Sequence, residues 1–333
     1  MSTPTREPTV ELVCPRCRGS GPGHALDEAL QCPGCGVEHG SVRVDDGPRV
    51  AVLLDPDEAT TGLAATARIL ERLDAGPGAL AEAPTPEDAP YLSALATFGG
   101  SHYGRWASPP LPSPELAWIE AALAHARVLP EGPALILGAA TVGEALALPP
   151  DREVVALDGS VPLLGFASGL AAGDQWLPVQ TTPGRYAARR LALPEPVRER
   201  LARVRLVAAD AREPPLRPGT FALVLALNLV DSITHPRELL LQARALLAPG
   251  GALLLSSPFN WNDEVTPPER RLDADLPPHA DHDAQLEARI AALVPDLELR
   301  WSDRDVPWPL RIHDRLRCEF RLHAMLWQHE RRS

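Results

Sequence analysis

The sequence contains no lysine; all 32 of its lysine-or-arginine positions are arginine. That absence excludes any reaction that runs through a lysine Schiff base, pyridoxal-type catalysis included. It excludes a P-loop, whose lysine reaches the phosphates, and protein-kinase chemistry for the same reason. A GC-rich genome is the bland cause, in keeping with 37 prolines. The chemical exclusions hold whatever the cause. No run approaches the roughly 18 apolar residues of a membrane helix. The longest, 221–230, is broken by Asn228. The opening MSTPTREPTV lacks the apolar stretch of a signal peptide. Internal repeats are absent. These features predict a cytoplasmic chain with no membrane partner. Asp and Glu total 44 and set a formal charge of -12. Such a balance repels phosphate backbones and argues against a nucleic-acid partner unless a basic patch is concentrated locally.

What is present begins with cysteine. Four of the five stand as Cys14-Pro-Arg-Cys17 and Cys32-Pro-Gly-Cys35. Two such knuckles suit four thiolates around tetrahedral zinc. Disulfides are disfavoured in a cytosolic chain, and a redox C-x-x-C would not normally come twice. A closed four-thiolate site has no open position, so the zinc would be structural. Cys318 stands apart and reads as a small core residue.

A chain of 333 residues, 45% hydrophobic, can build one large or two modest domains. Residues 11–54 read as a small unit around the cysteines, with strands near Val42–Val44 and Val50–Leu54 flanking the Asp46-Gly47-Pro48 turn. Residues 56–73 place Leu63, Ala67, Leu70 and Leu73 on one helical face. Residues 74–90 are rich in Pro, Gly and acid, as a linker would be. The expected division is therefore 1–55 for a zinc ribbon, 56–98 for a helical segment and linker, and 99–333 for the main domain.

In that main domain Ser113-Pro114-Glu115 has the composition of a helix start. Apolar runs at 134–137, 154–157, 204–208, 221–227 and 252–256 alternate with helical patterns at 143–148, 161–171, 236–247 and 283–293. Continuous apolar runs suit strands buried on both faces. The alternation predicts a doubly wound α/β sheet. In the tail, Phe320, Leu322, Ala324 and Leu326 alternate with Glu319, Arg321 and His323, the period of a half-exposed antiparallel edge strand. Its arginines, from Arg311 to Arg332, read as a surface that blunts that edge.

The first strand leads into Gly138-Ala139-Ala140-Thr141-Val142-Gly143, a glycine turn that lets backbone approach a ligand. Asp158 closes the second strand, followed by Gly159 and Ser160, where a carboxylate can take both ribose hydroxyls. Asp210 and Ala211 follow the third strand, and the acid can accept from an adenine amino group. The fourth ends at Asn228-Leu229-Val-Asp231. A dinucleotide site would also want glycine, strand and acid, but no G-x-G-x-x-G is present to pass a pyrophosphate. The bland alternative is a set of loop carboxylates at strand ends.

The ordered set, with Leu246-Leu-Ala-Pro-Gly250-Gly251, resembles the motif series of class I methyltransferases. Asn228 to Asp231, Ser256 to Pro267, and Asp305 to Arg315 resemble the C-terminal methyltransferase domain of ovothiol synthases. The likeness spans about 100–333. Here the glycines Gly138 and Gly143 are five apart, and Glu269 to Asp275 replaces an aromatic and Gly-Gly segment of that family. The cysteine unit with Val42 to Leu54 is similar to zinc ribbons of the Trm112 type, which accompany methyltransferases. The resemblance implies a seven-stranded Rossmann-like sheet and S-adenosylmethionine as cofactor. It implies a small-molecule or peptide methyl acceptor, a histidine-like nitrogen among them, and a protein partner through the ribbon.

Residues facing the acceptor are expected among Asp231, His313 and Tyr103. Trp176 and Tyr186, in 173–200, are candidates for a lid. Trp261 reads as packing. Asp275, His279, Asp281, His282 and Asp283 are metal-ligand types but read as a solvated loop. The rival readings are an RNA methyltransferase and a degenerate methyltransferase fold that serves as a scaffold.

Overall fold

The computed structural model of the chain describes residues 10–18, 23–276 and 281–329. Its strands are β1 (Gly40–Val42), β2 (Val50–Val52), β3 (Ala107–Ser108), β4 (Ala134–Leu137), β5 (Val154–Asp158) and β6 (Gln175–Thr182). They continue as β7 (Arg185–Leu191), β8 (Val204–Ala208), β9 (Phe221–Leu227), β10 (Leu247–Ser257), β11 (Leu297–His313) and β12 (Leu316–His329). Nine form one sheet in the order β1-β2-β8-β5-β4-β9-β10-β12-β11, and β3-β7-β6 form a second.

The central strands are buried on both faces because their residues are apolar without interruption. Every residue of β9 is buried. Alternate side chains enter two cores. Ala134, Ile136, Val154 and Ala156 join Ile69, Leu73 and Leu164. Leu135, Leu137, Val155 and Leu157 join Leu239, Ala243 and Ile290. Helices Pro56–Asp74 and Val161–Ala172 thus cover one face, while Pro236–Leu246 and His282–Leu293 cover the other. This is the doubly wound arrangement, and β8-β5-β4-β9-β10 run parallel.

The helix Pro56–Asp74 starts with Asp55 accepting from the Asp57 amide and proline in the first turn. It packs directly on Val161–Ala172. A Cβ at Gly62 would meet Val161 at 2.8 Å, and one at Gly165 would meet Thr66 at 2.9 Å. Glycine at both positions permits the close approach.

Several expectations need correction. The sheet contains the expected seven strands from β8 to β11, but β1 and β2 extend it. β2 pairs parallel with β8, Val50 opposite Leu206. The segment read as a linker is packed: Leu80 is fully buried, and Arg68 grips Asp88 at 2.7 Å. The helix after Ser113 covers only Ala117–Leu123. Prolines 109, 110, 112 and 114 hold the preceding chain extended, and Ser113 Oγ donates to the Gly100 carbonyl instead of capping. Residues Gly143–Ala147 form a 3-10 helix, not an α-helix. The tail strand β12 is antiparallel but not at the edge, since β11 flanks it. Residues 316–321 keep the expected half-exposed pattern, but from 322 to 328 both faces are covered: Met325 and Trp327 pack with Leu286 and Ile290, and Leu326 joins Ala252 and Leu254 in the other core. Cys318 is half-buried on β12 and not in the core.

Candidate functional site

The carboxyl ends of β4, β5, β8 and β9 meet where successive strands depart to opposite sides of β4. In open α/β sheets this switch point is where ligands bind. A cavity of about 870 Å3 opens there. Gly138, Ala140, Asp158, Gly159, Ser160, Asp210, Ala211, Asn228, Leu229 and Asp231, expected from sequence, all line it.

The turn after β4 is built from left-handed residues: Gly138 at φ 70°, Ala140 at 45° and Val142 at 70°. Asp158 holds it in place. Its Oδ2 accepts from the Ala140 amide at 2.8 Å and its Oδ1 from the Ser160 amide at 2.7 Å. Burial pushes this carboxyl up, against the pull of those two amides. Each oxygen keeps a further lone-pair direction for a ligand hydroxyl. Gly159 faces open space.

Behind the turn sits His102. The Gly143 amide donates to its Nδ1 at 3.0 Å. Nδ1 is therefore the acceptor, and Nε2 carries the proton toward Glu144 Oε1 at 3.1 Å. A Cβ at Gly143 would strike the imidazole at 2.3 Å, so glycine is needed for packing and not for ligand approach. Neither Gly143 nor Ala139 lines the cavity. The Ala139 amide is spent on the Leu157 carbonyl.

Asp210 faces the cavity, yet its carboxylate is also held by Arg212, whose Nη2 lies 2.5 Å away. Burial would raise this carboxyl; the guanidinium overrides it and leaves it below the ordinary carboxylate range.

The three candidate acceptor-side residues separate. Asp231 is buried against the cavity. Its Oδ2 accepts from the Asn260 amide at 2.8 Å, and its Oδ1 has no hydrogen-bond partner. Burial raises the carboxyl, opposed by the Ser257 hydroxyl and the Asn260 amide. Tyr103 is fully buried and does not line the cavity. Its hydroxyl donates to the Thr141 carbonyl at 2.5 Å, so it braces the glycine turn. His313 lies at the end of β11, where its Nδ1 accepts from the Arg315 amide at 3.2 Å, outside the cavity lining. Tyr103→Phe is expected to cost about 1 kcal/mol of stability, the worth of one hydrogen bond, with turnover nearly unchanged. A loss of turnover of 100-fold or more at intact stability would restore it to the reacting centre.

Other residues were not anticipated as lining. Leu54 comes from just before the helix Pro56–Asp74, Asp57, Glu58, Thr61 and Gly62 from its start, and Tyr91 and Phe98 from the helical turns that follow the segment read as linker. Trp308, Leu310, Phe320 and Leu322 come from the β11–β12 hairpin. None had a spacing signal, because they meet only through the fold. Residues 173–200 contribute nothing to the lining; they hold β6, β7 and most of the helix Glu195–Ala202. Trp176 packs beside Gly76, and Tyr186 is buried. Trp261 donates to Asp273 at 3.0 Å. Asp281 caps the helix after it, His282 pairs with Asp273, and Asp275 pairs with Arg289. His279 and Arg332 lie outside the described residues.

The cysteines converge as spaced. Their four sulfurs lie within 4.8 Å of one another, with Cys14 and Cys35 at 3.8 Å and Cys17 and Cys32 at 3.7 Å. None is disulfide-bonded. Zinc–sulfur bonds of about 2.3 Å in a tetrahedron put sulfurs about 3.8 Å apart, so the donor set fits such an ion. The Cys17 thiol is pushed up to about 12 by the Cys35 side chain. At Cys32 burial opposes ionisation, but the Cys35 and Gly34 amides prevail and lower it to about 6. His39 Nε2 lies 3.6 Å from Cys14 Sγ.

With this geometry in view, residues 137–255 match the family described as a methyltransferase domain. The stretch runs from the end of β4 into β10 and includes Gly138, Asp158, Asp210 and Asp231. No curated protein matches the sequence. Among solved structures, the CcbJ methyltransferase from Streptomyces caelestis is 19% identical, over 71% of this chain and 98% of that one, with a TM-score of 0.41. The antibiotic-resistance methyltransferase Kmr is 17% identical over 66% and 94%, at 0.36. The cyclase SpnF is 16% identical over 57% and 59%, at 0.38. This chain thus spans less than two thirds of SpnF. No described helix is long and apolar enough to cross a membrane.

Proposed function

We propose that the chain is an S-adenosylmethionine-dependent methyltransferase acting on a small molecule or a peptide side chain. The observation that carries the reading is Asp158. It is a half-buried carboxylate at the end of β5, ordered by two backbone amides, facing a cavity of about 870 Å3. The matched methyltransferase domain supports it. Asp158 would hold the ribose hydroxyls, Asp210 the adenine amino group, and the turn from Gly138 to Ala140 the methionine portion. Bound there, the cofactor supplies a methyl group on a sulfonium, whose departure needs no further activation. The protein's part is then to position the acceptor, exclude water and take a proton from a nitrogen or oxygen nucleophile. Asp231 is placed for that last task. The likeness to ovothiol-synthase methyltransferase domains favours a histidine-like nitrogen. The cysteine unit, with its likeness to Trm112-type ribbons, would hold structural zinc and could receive a protein partner. The chain would work in the cytoplasm without nucleic acid. Calorimetry with S-adenosylhomocysteine tests the reading: one site per chain with micromolar affinity is expected, and no heat at millimolar ligand would overturn it.

The raised Asp231 carboxyl has a thermodynamic cost. The folded protein holds that proton better than the unfolded chain does. The group's contribution is full below its unfolded value of about 3.9 and is lost as pH rises through the raised value. Asp231→Asn removes the charge. Relative to wild type it is expected to gain stability between pH 4 and pH 7, by about 1 kcal/mol, the scale of an unsatisfied buried acceptor. Urea midpoints at the two pH values measure it. A difference that is flat with pH would assign the cost elsewhere.

A further inference from the structure

The lining of the cavity is one-sided in charge. It carries six carboxylates: Asp57, Glu58, Glu144, Asp158, Asp210 and Asp231. Among the described residues no arginine lines it, in a chain where arginine supplies all 32 lysine-or-arginine cations. Its one basic side chain, His102, is engaged by Glu144 at 3.1 Å. Asp210 is neutralised by Arg212, and Asp158 is taken up by the turn it orders. Three negative regions remain. Glu144 pairs with His102 through Oε1 only, and its Oε2 is buried without a partner. Asp57 and Glu58 are exposed at the helix start. Asp231 is only 4% exposed, and its Oδ1 is buried without a partner. An unpaired buried acceptor on a cavity wall is costly unless a ligand donates to it.

One part of the remaining wall is apolar and rich in aromatic side chains. Trp308, Leu310, Phe320 and Leu322 of the β11–β12 hairpin stand with Tyr91 and Phe98. Such a surface accepts a flat hydrocarbon body. Carboxylates at the mouth attract cations and repel anions. We propose that the methyl acceptor is an amine that arrives protonated, carries a planar apolar body, and presents its nitrogen to Asp231 Oδ1. The assignment rests on the methyltransferase reading and deepens it. The proton balance is complete within the site. One N–H proton would pass to Asp231 Oδ1 and the nitrogen would keep the bonding pair; that pair would form the N–C bond to the methyl group as the C–S bond breaks, its pair leaving on the sulfur of S-adenosylhomocysteine. Phosphorylated and purely carboxylate acceptors are rejected by the same lining.

The test uses the full chain and two probes sharing one ring and differing in charge: 2-phenylethylamine and 3-phenylpropanoate. Each is titrated calorimetrically with and without S-adenosylhomocysteine. The amine is expected to bind at least about 10-fold more tightly than the carboxylate, the discrimination a single well-placed charge provides. In Asp231→Asn that ratio should fall to about 2-fold or less. A double variant, Asp57→Asn with Glu58→Gln, alters only the exposed mouth, and should lower the ratio partially with the fold undisturbed. Equal or tighter binding of the carboxylate, binding of neither probe, or a ratio unchanged in both variants overturns the proposal. If S-adenosylhomocysteine binds and the amine preference is absent, the acceptor assignment alone falls. If the preference is present and S-adenosylhomocysteine does not bind, the methyltransferase reading falls and the cation site stands.

Discussion

Replacing Asp158 by alanine is expected to weaken S-adenosylhomocysteine binding by roughly 100- to 20,000-fold. Hydrogen bonds to a charged group are worth about 1.5–3 kcal/mol each, and a ribose offers two hydroxyls. Their sum, about 3–6 kcal/mol, gives that range in the dissociation constant. The substitution also releases the Ala140 and Ser160 amides, which Asp158 now orders at 2.8 and 2.7 Å. The turn after β4, with left-handed Ala140 and Val142, would lose the contact that holds it in that conformation. Part of the lost affinity is therefore pre-organisation. Asp158→Asn separates the two parts. It keeps one acceptor oxygen but removes the charge, and should fall between wild type and alanine. A dissociation constant within about 3-fold of wild type in the alanine variant, by calorimetry, would place the cofactor elsewhere.

Replacing Cys32 by serine is expected to remove the metal and to destabilise the protein by several kcal/mol, since the free energy of a structural zinc site is folding free energy. The unit is tied into the main body and would not melt in isolation. The Val13 amide donates to the Pro215 carbonyl, Leu12 bridges Leu216, and Arg18 reaches Gln242. Val10, Leu12 and Leu30 pack in the same core as Leu216 and Phe221. A lowered thermal midpoint for the whole chain should accompany the loss of one zinc per chain, measured by elemental analysis. A wild-type protein without metal, or a variant that keeps both metal and midpoint, would sink the assignment.

The parts of this molecule legible in the sequence are those whose signal is local. Buried parallel strands must be apolar along their whole length, so β4, β5, β8 and β9 stood out. The carboxylates closing β5 and β8 stood out because position at a strand end carries its own chemistry. The cysteine spacing singled out four thiols whose sulfurs converge, for geometric reasons. The misreadings share an opposite cause. Tyr103 has the residue type of a proton donor, and only the fold shows its hydroxyl turned to the Thr141 carbonyl. Residues 74–90 have the composition of a linker, yet Leu80 and the Arg68–Asp88 pair bind them to the core. The apolar wall brings Phe98, Trp308 and Phe320 together from segments more than 200 residues apart in the chain. No periodicity can announce such a meeting. Asp57 lies in the first turn of its helix, where helix electrostatics already explain an acid.

The pairing of β2 with β8 sets a minimum size for the working unit. β8 ends beside Asp210, and its outer edge is closed by three residues that lie far upstream, Val50 to Val52. A fragment limited to the stretch with a methyltransferase signature would present that edge as a row of unpaired amides and carbonyls, an invitation to self-association. It would also lack the helix that contributes Asp57 to Gly62 to the binding chamber. The N-terminal region is thus a staple that closes the main body, and shortening the chain from that end would yield an open shell in place of a smaller working unit.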